Sequence, residues 1–326
     1  MTNPNRLRAL LALLAALALG VGIAACGDDD DDEGNGGDGE TATLIEENPD
    51  NGDVSITVGS KNFTEQFILG EIYAQGLEAA GYDVSTQLNL GSEQIALRAL
   101  EDGEVDAYPE YTSTALTSFF ETPPEDVPAD GQQAYEESQS QFEEQGLQAF
   151  PPTSMESANA VGTLATTAEQ EGLETISDLE GVSQDMVLAG SPECRQRIDC
   201  LLGLEENYGL EFERFTPVDI ALRYEVLDKG DADLSILFTT DAQLSESDDY
   251  VTLEDDLDVL PAGNVLFVAN QETVDEAGPD LGETVENVQG ELTTEVMQEL
   301  NARVDLDKEK PEDVARDYLE EFGYVE

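Results

Sequence analysis

The chain contains the same passage twice, and this internal repeat is the feature that most constrains its fold. The two copies are Ile95-Ala96-Leu97-Arg98 followed by Gly103, Asp106 and Tyr111, and Ile220-Ala221-Leu222-Arg223 followed by Gly230, Asp233 and Phe238. From the glycine onward the spacing is identical, which predicts an amphipathic helix, a turn and a strand ending on an aromatic. We therefore expect two similar α/β lobes that present these aromatics where open sheets bind ligands. The alternative is a chance match of a common helix tetrad.

The first residues of the chain predict an export signal. Arg6 and Arg8 precede an apolar stretch over 10–19, and small residues lead directly to Cys26. The apolar stretch is too short for a spanning helix, so residues 1–25 are predicted to be a cleaved signal peptide. The cysteine after small residues resembles the lipobox of bacterial lipoproteins, whereas an ordinary signal peptide with an incidental cysteine is the alternative. We expect a lipid on Cys26 to anchor the protein at the outer face of the cell membrane.

A strongly acidic segment follows and separates the signal from the folded part. Residues 26–53 contain few apolar side chains and a run of aspartates, which predicts a disordered tether. The remaining length is enough for two lobes of ordinary size. We predict that 54–157 and 262–326 form the first lobe and that 158–261 form the second.

The composition excludes several classes of function. The formal net charge of −61 argues against nucleic-acid binding and against electrostatic docking on anionic lipid. The chain has no histidine, which removes serine and cysteine triads and the common zinc sites. We therefore predict a binding protein that is no enzyme and needs no cofactor or metal; a secreted enzyme on the same scaffold is the disfavoured alternative.

Cys194 and Cys200 form an even pair once Cys26 is assigned to the lipid anchor. In an exported protein such a pair predicts a disulfide. A metal site is disfavoured because two cysteines without histidine cannot supply the usual four ligands. The loop between them carries Arg195 and Arg197.

A cation stands on the first turn of the folded part. The β-branched stretch 54–58 predicts a strand, and Asn62 with Glu65 predicts the capped start of a helix. Lys61 therefore lies between the end of a strand and a helix N-terminus, where an anionic group can bind. Farther along, the chain is expected to cross between lobes near Met155–Leu164 and to return near Pro261.

Three stretches carry a resemblance to a known family. They are Gly59-Ser60-Lys61-Asn62-Phe63-Thr64-Glu65-Gln66, Leu88-Asn89-Leu90-Gly91-Ser92 and Asp106-Ala107-Tyr108-Pro109-Glu110-Tyr111-Thr112-Ser113-Thr114. They resemble the glycine betaine/carnitine/choline substrate-binding proteins of ABC importers. The resemblance implies a two-lobe periplasmic-binding fold with two crossing segments and a ligand in the interlobe cleft, closed by hinge motion. It also implies a monomer that binds an osmolyte and works with permease and ATPase subunits.

The resemblance also implies roles for individual residues. Lys61, Thr114 and Arg197 match positions that bind a ligand carboxylate, with Arg195 as the alternative to Arg197. The aromatic positions that hold a quaternary ammonium by cation–π attraction are matched by Tyr111, Tyr224 and Phe238. Asn159 stands where the family often has tyrosine. An amino acid or other zwitterion is therefore an alternative ligand, and a sensory lobe without transport is an alternative role.

Overall fold

Residues 43–326 are described by the computed structural model, and their strands form two separate mixed sheets. In chain order the strands are β1 (Ser55–Gly59), β2 (Asp83–Gln87), β3 (Ala107–Tyr111), β4 (Leu147–Ala149), β5 (Glu156–Ser157), β6 (Asn159–Leu164), β7 (Val187–Gly190), β8 (Arg214–Pro217), β9 (Leu234–Phe238), β10 (Tyr250–Thr252) and β11 (Gly263–Asn270). The predicted signal peptide, the lipidation of Cys26 and the tether as far as residue 42 lie outside the described residues.

The helices surround these sheets. They are α1 (Thr64–Ala79), α2 (Glu93–Glu101), α3 (Thr112–Thr114), α4 (Gly131–Glu144), α5 (Ala165–Glu171), α6 (Leu201–Asn207), α7 (Arg223–Asp228), α8 (Ala242–Glu246), α9 (Gln271–Ala277), α10 (Pro279–Gln289), α11 (Thr294–Asp305) and α12 (Pro311–Glu321). A π-helical turn over Ala115–Phe119 continues α3, and short 3-10 turns include Pro192–Gln196 and Ile220–Leu222. Within 43–326, no helix has the length and apolar character needed to cross a membrane.

The two sheets have the same strand order. The first runs β2-β1-β3-β11-β4, with β5 added beside β11, and the second runs β8-β7-β9-β6-β10. In each sheet three strands are parallel, and the fourth is an antiparallel strand that the chain contributes after crossing from the other sheet. We call the body around the first sheet lobe I and the body around the second lobe II.

The repeated passage forms the same turn in both lobes. Gly103 and Gly230 have φ angles of 68° and 67°, in the left-handed region that glycine adopts at low cost. The carboxylate of Asp106 accepts from the backbone N–H of Thr57 in β1 at 2.7 Å, and the backbone N–H of Asp106 donates to the carbonyl of Thr57 at 2.8 Å. Asp233 makes the same two bonds with Val187 of β7, at 2.8 and 3.0 Å. Each aspartate thus fixes the parallel strand that follows it, and that strand ends five residues later on the aromatic.

The two tetrads themselves differ in conformation. Ile95 to Arg98 lie within α2, whereas Ile220 to Leu222 form a 3-10 turn and the α-helix begins only at Arg223. The amphipathic helix predicted for the second copy is therefore shorter than expected. The difference matters because it places Arg223, unlike the exposed Arg98, inside the molecule.

Lobe I has the larger apolar core, and residues 43–53 are part of its surface layer. Ile45 packs against this core and its backbone N–H donates to the carbonyl of Tyr324 at 2.8 Å. Asn48 caps a 3-10 turn over Pro49–Asp53 and also donates to Asp280. The prediction of disorder up to residue 53 is therefore wrong for these residues, because Ile45 and the capping asparagine gave them an apolar contact and a helix start.

Candidate functional site

A cavity of about 80 Å³ lies between the lobes, beside the ends of β1, β3, β7 and β9. Six of the predicted site residues line it: Lys61, Tyr111, Thr114, Asn159, Arg197 and Phe238. The repeat explains the geometry, since Tyr111 ends β3 of lobe I and Phe238 ends β9 of lobe II. The two aromatic ends predicted from the repeat thus contribute to one site.

Tyr224 is the exception among the predicted residues, because it is not part of the cavity lining. Its hydroxyl donates to Asp241 Oδ2 at 3.0 Å, and its ring lies edge-on against Tyr250 with centroids 4.8 Å apart. Burial, followed by the nearby charge of Asp241, raises the pKa of Tyr224 far above its usual value. Tyr224 therefore bonds to Asp241, which in turn accepts a hydrogen bond from the backbone N–H of Phe238. Its predicted place among the rings that line the cavity is corrected accordingly.

Phe63 contributes a third aromatic ring to the cavity lining, beside Tyr111 and Phe238. Its ring centroid lies 6.4 Å from that of Tyr111, nearly parallel, and 5.2 Å from that of Phe238. Phe63 precedes α1 in lobe I, so its contact with Phe238 spans the cleft. The sequence contained this residue within the Gly-Ser-Lys turn, but only the lysine of that turn was assigned to the ligand.

Lys61 lines the cavity and forms a buried ion pair with Glu110. The same carboxylate accepts from the backbone N–H of Tyr111 at 2.8 Å and from the hydroxyl of Tyr108 at 2.9 Å. Lys61 Nζ also lies 4.4 Å from the centroid of the Tyr111 ring. Burial lowers the pKa of Lys61, and Glu110 opposes that shift. Lys61 thus lies in the cavity lining, as predicted, and its ammonium group is already paired with the carboxylate of Glu110.

The predicted cap of α1 does not form. Phe63, not Asn62, is the N-cap residue, and no side chain bonds to the first turn. Glu65 points inward instead, where it accepts from Tyr111 Oη at 2.7 Å and from Asn301 Nδ2 at 3.0 Å. Burial raises the pKa of Glu65. The capping prediction was wrong because a buried hydroxyl and amide offered Glu65 better partners than the backbone.

The disulfide predicted between Cys194 and Cys200 is present and closes the loop that carries Arg197 and Asp199. Arg197 makes a two-pronged ion pair with Asp199, with Nε to Oδ1 at 2.8 Å. Asp199 also accepts from Thr117 of lobe I at 3.0 Å, so this lobe II loop contacts both lobes. Burial acts to lower the pKa of Arg197 and to raise that of Asp199. The attraction between the two charges outweighs burial, so the pKa of Arg197 is raised and that of Asp199 is lowered.

Asn159 lies at the start of β6 and opposite Phe238 in the strand pairing. Its side-chain amide donates to the backbone carbonyl of Asp199 at 2.9 Å. Asn159 therefore lines the cavity and holds the disulfide loop, in place of an aromatic wall. Arg195, the alternative to Arg197, lies outside the lining: it donates to the carbonyl of Phe215 at 3.0 Å.

A third cation of the site was not predicted. Arg223 forms a buried ion pair with Asp241 at 2.8 Å, and its Cζ lies 4.0 Å from the centroid of Phe238. Asp241 also accepts from the backbone N–H of Phe238 at 2.9 Å. Arg223 completes the second tetrad of the repeat, so its proximity to the strand end was a usable signal. Within residues 43–326, no group of three His, Cys, Asp or Glu is placed to hold a metal ion.

The site can thus bind a small ligand by aromatic faces and by groups of both charges. A cavity of this size takes a compact solute rather than the larger molecules that fill pockets of about 300–1,000 Å³. Aromatic rings attract a cation that has lost its water. The arrangement is therefore suited to binding and orienting a small solute.

Comparisons with known proteins agree with this geometry. The family described as the substrate binding domain of ABC-type glycine betaine transport systems matches residues 54–321. A glycine-betaine-binding protein of Pseudomonas aeruginosa is 32% identical over 283 residues, which cover 83% of this chain and 89% of that protein. The ergothioneine transport permease/ergothioneine binding protein EgtU of Helicobacter pylori is 30% identical over 86% of this chain, which spans 48% of that longer protein.

A solved structure supports the fold. The crystal structure of a glycine betaine/carnitine/choline ABC transporter protein matches with a TM-score of 0.65 and 25% identity, over 83% of this chain and all of that one. The predicted two-lobe periplasmic-binding fold is thereby confirmed.

Proposed function

Because this chain belongs to the family of substrate-binding domains of ABC-type glycine betaine transport systems, we propose that it captures a quaternary ammonium solute in its interlobe cleft and delivers it to a permease. The family binds solutes for ABC importers and is not an enzyme family. Glycine betaine, carnitine, choline and proline betaine are the candidate ligands.

The observation that carries the proposal is the group of three aromatic rings at the cleft. Phe63 and Tyr111 come from lobe I and Phe238 from lobe II, so the rings form one group only when both lobes contribute. A quaternary ammonium cannot donate a hydrogen bond, and ring faces are the groups that attract it, each contributing roughly 0.5–2 kcal/mol. Cleft closure on such a ligand follows because neither lobe alone surrounds it.

The cellular setting follows from the predictions for the first 53 residues together with the family. We propose an extracytoplasmic protein, tethered to the outer face of the membrane by a lipid on Cys26, that acts as a monomer with permease and ATPase subunits. The disulfide between Cys194 and Cys200 supports an oxidising compartment. Mass spectrometry of the protein from membranes checks the anchor, since an unmodified Cys26 or an intact signal peptide would contradict it.

Calorimetric titration tests the ligand assignment. Glycine betaine, carnitine, choline and proline betaine are titrated into the folded protein, with 3,3-dimethylbutanol, the neutral carbon analogue of choline, as the control. We expect saturable binding of at least one cation and none of the neutral analogue. If no cation gives a signal, or if the neutral analogue binds as tightly, the aromatic group does not hold a quaternary ammonium.

A second ligand class has an observation in its favour. Asn159 lines the cavity where an aromatic wall was expected, and it offers polar atoms. The relative from Helicobacter pylori, 30% identical over the matched residues, is named for ergothioneine, a larger zwitterion that itself carries a quaternary ammonium. Amino acids without a quaternary ammonium are therefore the ligands whose inclusion in the titration decides between the two classes.

A further inference from the structure

Glu65 lies behind the cavity, where the two lobes meet. It is 3% exposed and is the second residue of α1 in lobe I. Its carboxylate accepts from Tyr111 Oη at 2.7 Å and from Asn301 Nδ2 at 3.0 Å, and it is not part of the cavity lining. These partners are a hydroxyl and an amide rather than a cation, so the negative charge of an ionised Glu65 is costly in this buried position.

Asn301 connects Glu65 to lobe II. The same Nδ2 atom donates to the backbone carbonyl of Thr240 at 3.0 Å, in the turn that follows β9. One turn earlier in α11, Gln298 Nε2 donates to the carbonyl of Thr239 at 3.0 Å. Because α11 packs in the core of lobe I, these two bonds cross the boundary between the lobes. Lobe II is therefore seated on lobe I through a helix that also bonds to Glu65.

The charges around Glu65 favour its neutral form when the lobes are together. On the lobe II side, Asp241 comes directly after the turn that follows β9 and is paired with Arg223. On the lobe I side, Asp305 of α11 accepts from Thr64 at 2.6 Å and moves together with Glu65. Burial raises the pKa of Glu65, hydrogen bonding to the carboxylate opposes the rise, and the charge of Asp241 adds to it. Separating the lobes would remove Asp241 and admit water, which would lower this pKa again.

We propose that Glu65 is a positioning residue whose proton stabilises the ligand-binding arrangement of the two lobes, so that ligand affinity depends on pH. Because Glu65 binds a proton more tightly when the lobes are together, protonation favours that arrangement by linkage. Affinity is therefore highest below the pKa that Glu65 has with the lobes apart, and it falls as pH rises through the higher pKa with the lobes together. This inference rests on the function proposed above and adds its regulation.

The composition of the chain makes this dependence easy to detect. The chain has no histidine, so no side chain with an ordinary pKa changes its charge between about pH 5 and 8. Glycine betaine, choline and proline betaine keep their own charges over that range. A pH dependence of their binding there therefore comes from side chains of the protein whose pKa is shifted.

The experiment measures the affinity for these three solutes by calorimetry at a series of pH values, in the wild type and in Glu65→Gln. Glu65→Gln is always neutral and can keep both hydrogen bonds, with its amide N–H donating to Tyr111 Oη and its oxygen accepting from Asn301. Glu71→Gln is the matched control. Glu71 lies in the same helix and burial raises its pKa too, but its charged neighbours lie in α1 and α12 of lobe I. Circular dichroism shows whether each variant is folded at each pH.

We expect the wild type to bind about fivefold or more weakly at about pH 7.5 than at about pH 5, within the ordinary range of coupling between two sites. Glu65→Gln should keep the tighter affinity throughout, and Glu71→Gln should keep the wild-type profile. A flat wild-type profile, or a Glu65→Gln profile that falls as steeply as that of the wild type, overturns the inference and leaves the proposed function standing. Absence of binding by all three solutes overturns it too, and the proposed function fails with it only if carnitine also gives no signal.

Discussion

Arg223 lies over the ring of Phe238, with the guanidinium carbon 4.0 Å from the ring centroid, while its Nη2 donates to Asp241 Oδ1 at 2.8 Å. Lys61 has the equivalent relationship to Tyr111 in lobe I, with Glu110 in the place of Asp241. Both aromatics from the repeat are thus positioned by a buried ion pair of their own lobe. A buried ion pair therefore lies beside one of these rings on each side of the cleft.

Replacing Arg223 with methionine should destabilise the protein strongly. Asp241 would keep its bonds from Tyr224 and Phe238 but lose the cation that it is paired with, and breaking a buried pair costs about 3–5 kcal/mol. Urea unfolding measures the loss. Arg214→Met is the control, since Arg214 is exposed and should change the free energy of unfolding by about 0.5 kcal/mol or less. Similar losses for the two variants would show that the Arg223–Asp241 pair has no special role.

Two substitutions at Tyr111 should separate its ring from its hydroxyl. Tyr111→Leu removes the ring and should weaken binding of a quaternary ammonium by about 0.5–2 kcal/mol. Tyr111→Phe keeps the ring but removes the donor to buried Glu65, so it should lower stability by about 1.5–3 kcal/mol with little change in affinity. Titration and urea unfolding are both measured. An affinity loss in Tyr111→Phe equal to that in Tyr111→Leu would assign ligand binding to the hydroxyl.

Glu65 should make stability depend on pH. Burial raises its pKa in the folded protein above the value of about 4.5 for an exposed glutamate. The protonated form therefore favours the folded state, and its contribution is full below pH 4.5 and is lost as pH rises through the folded pKa. The slope per proton is at most about 1.4 kcal/mol per pH unit.

Unfolding by urea at a series of pH values from 4 to 8 tests this. Glu65→Gln cannot ionise, so the fall in stability attributable to residue 65 should disappear in that variant. Glu104→Gln, at an exposed position, is the control and should keep the wild-type profile. Identical profiles for wild type and Glu65→Gln would mean that Glu65 does not titrate differently in the two states.

The disulfide should affect binding as well as stability. Closing a loop of this length contributes about 2 kcal/mol, so Cys194→Ser with Cys200→Ser should lower the free energy of unfolding by that amount. Arg197 and Asp199 lie inside the loop, and Asp199 bonds to Thr117 of lobe I. We therefore expect weaker ligand binding too, measured by titration of the double variant. Unchanged affinity would show that the ion pair alone keeps the loop in place.

The alternation of strands and helices was predictable because it depends on local patterns. The β-branched stretch 54–58, the glycine turns and Pro311 at the start of α12 each carry their own signal. The N-cap at Asn62 failed because Glu65 found partners 46 and 236 residues away, in Tyr111 and Asn301. Such contacts leave no local pattern in the sequence.

The site was predictable where the repeat and the family motif marked it, at Lys61, Tyr111 and Phe238. Its ion pairs were not, since 74 acidic residues make every carboxylate an equally plausible partner. Glu110 and Asp241 illustrate this: their burial, which the sequence does not reveal, distinguishes them from the exposed acids. Phe63 was missed because the same turn contained a lysine with a more obvious chemical role.

The crossing from lobe I to lobe II consists of a single residue, because β5 ends at Ser157 and β6 begins at Asn159. Asn159 is paired directly with Phe238 across the strands of lobe II. A change in the angle between the lobes would therefore act directly beside the strand that pairs with Phe238. We expect substitutions at this crossing to alter ligand affinity together with the angle between the lobes.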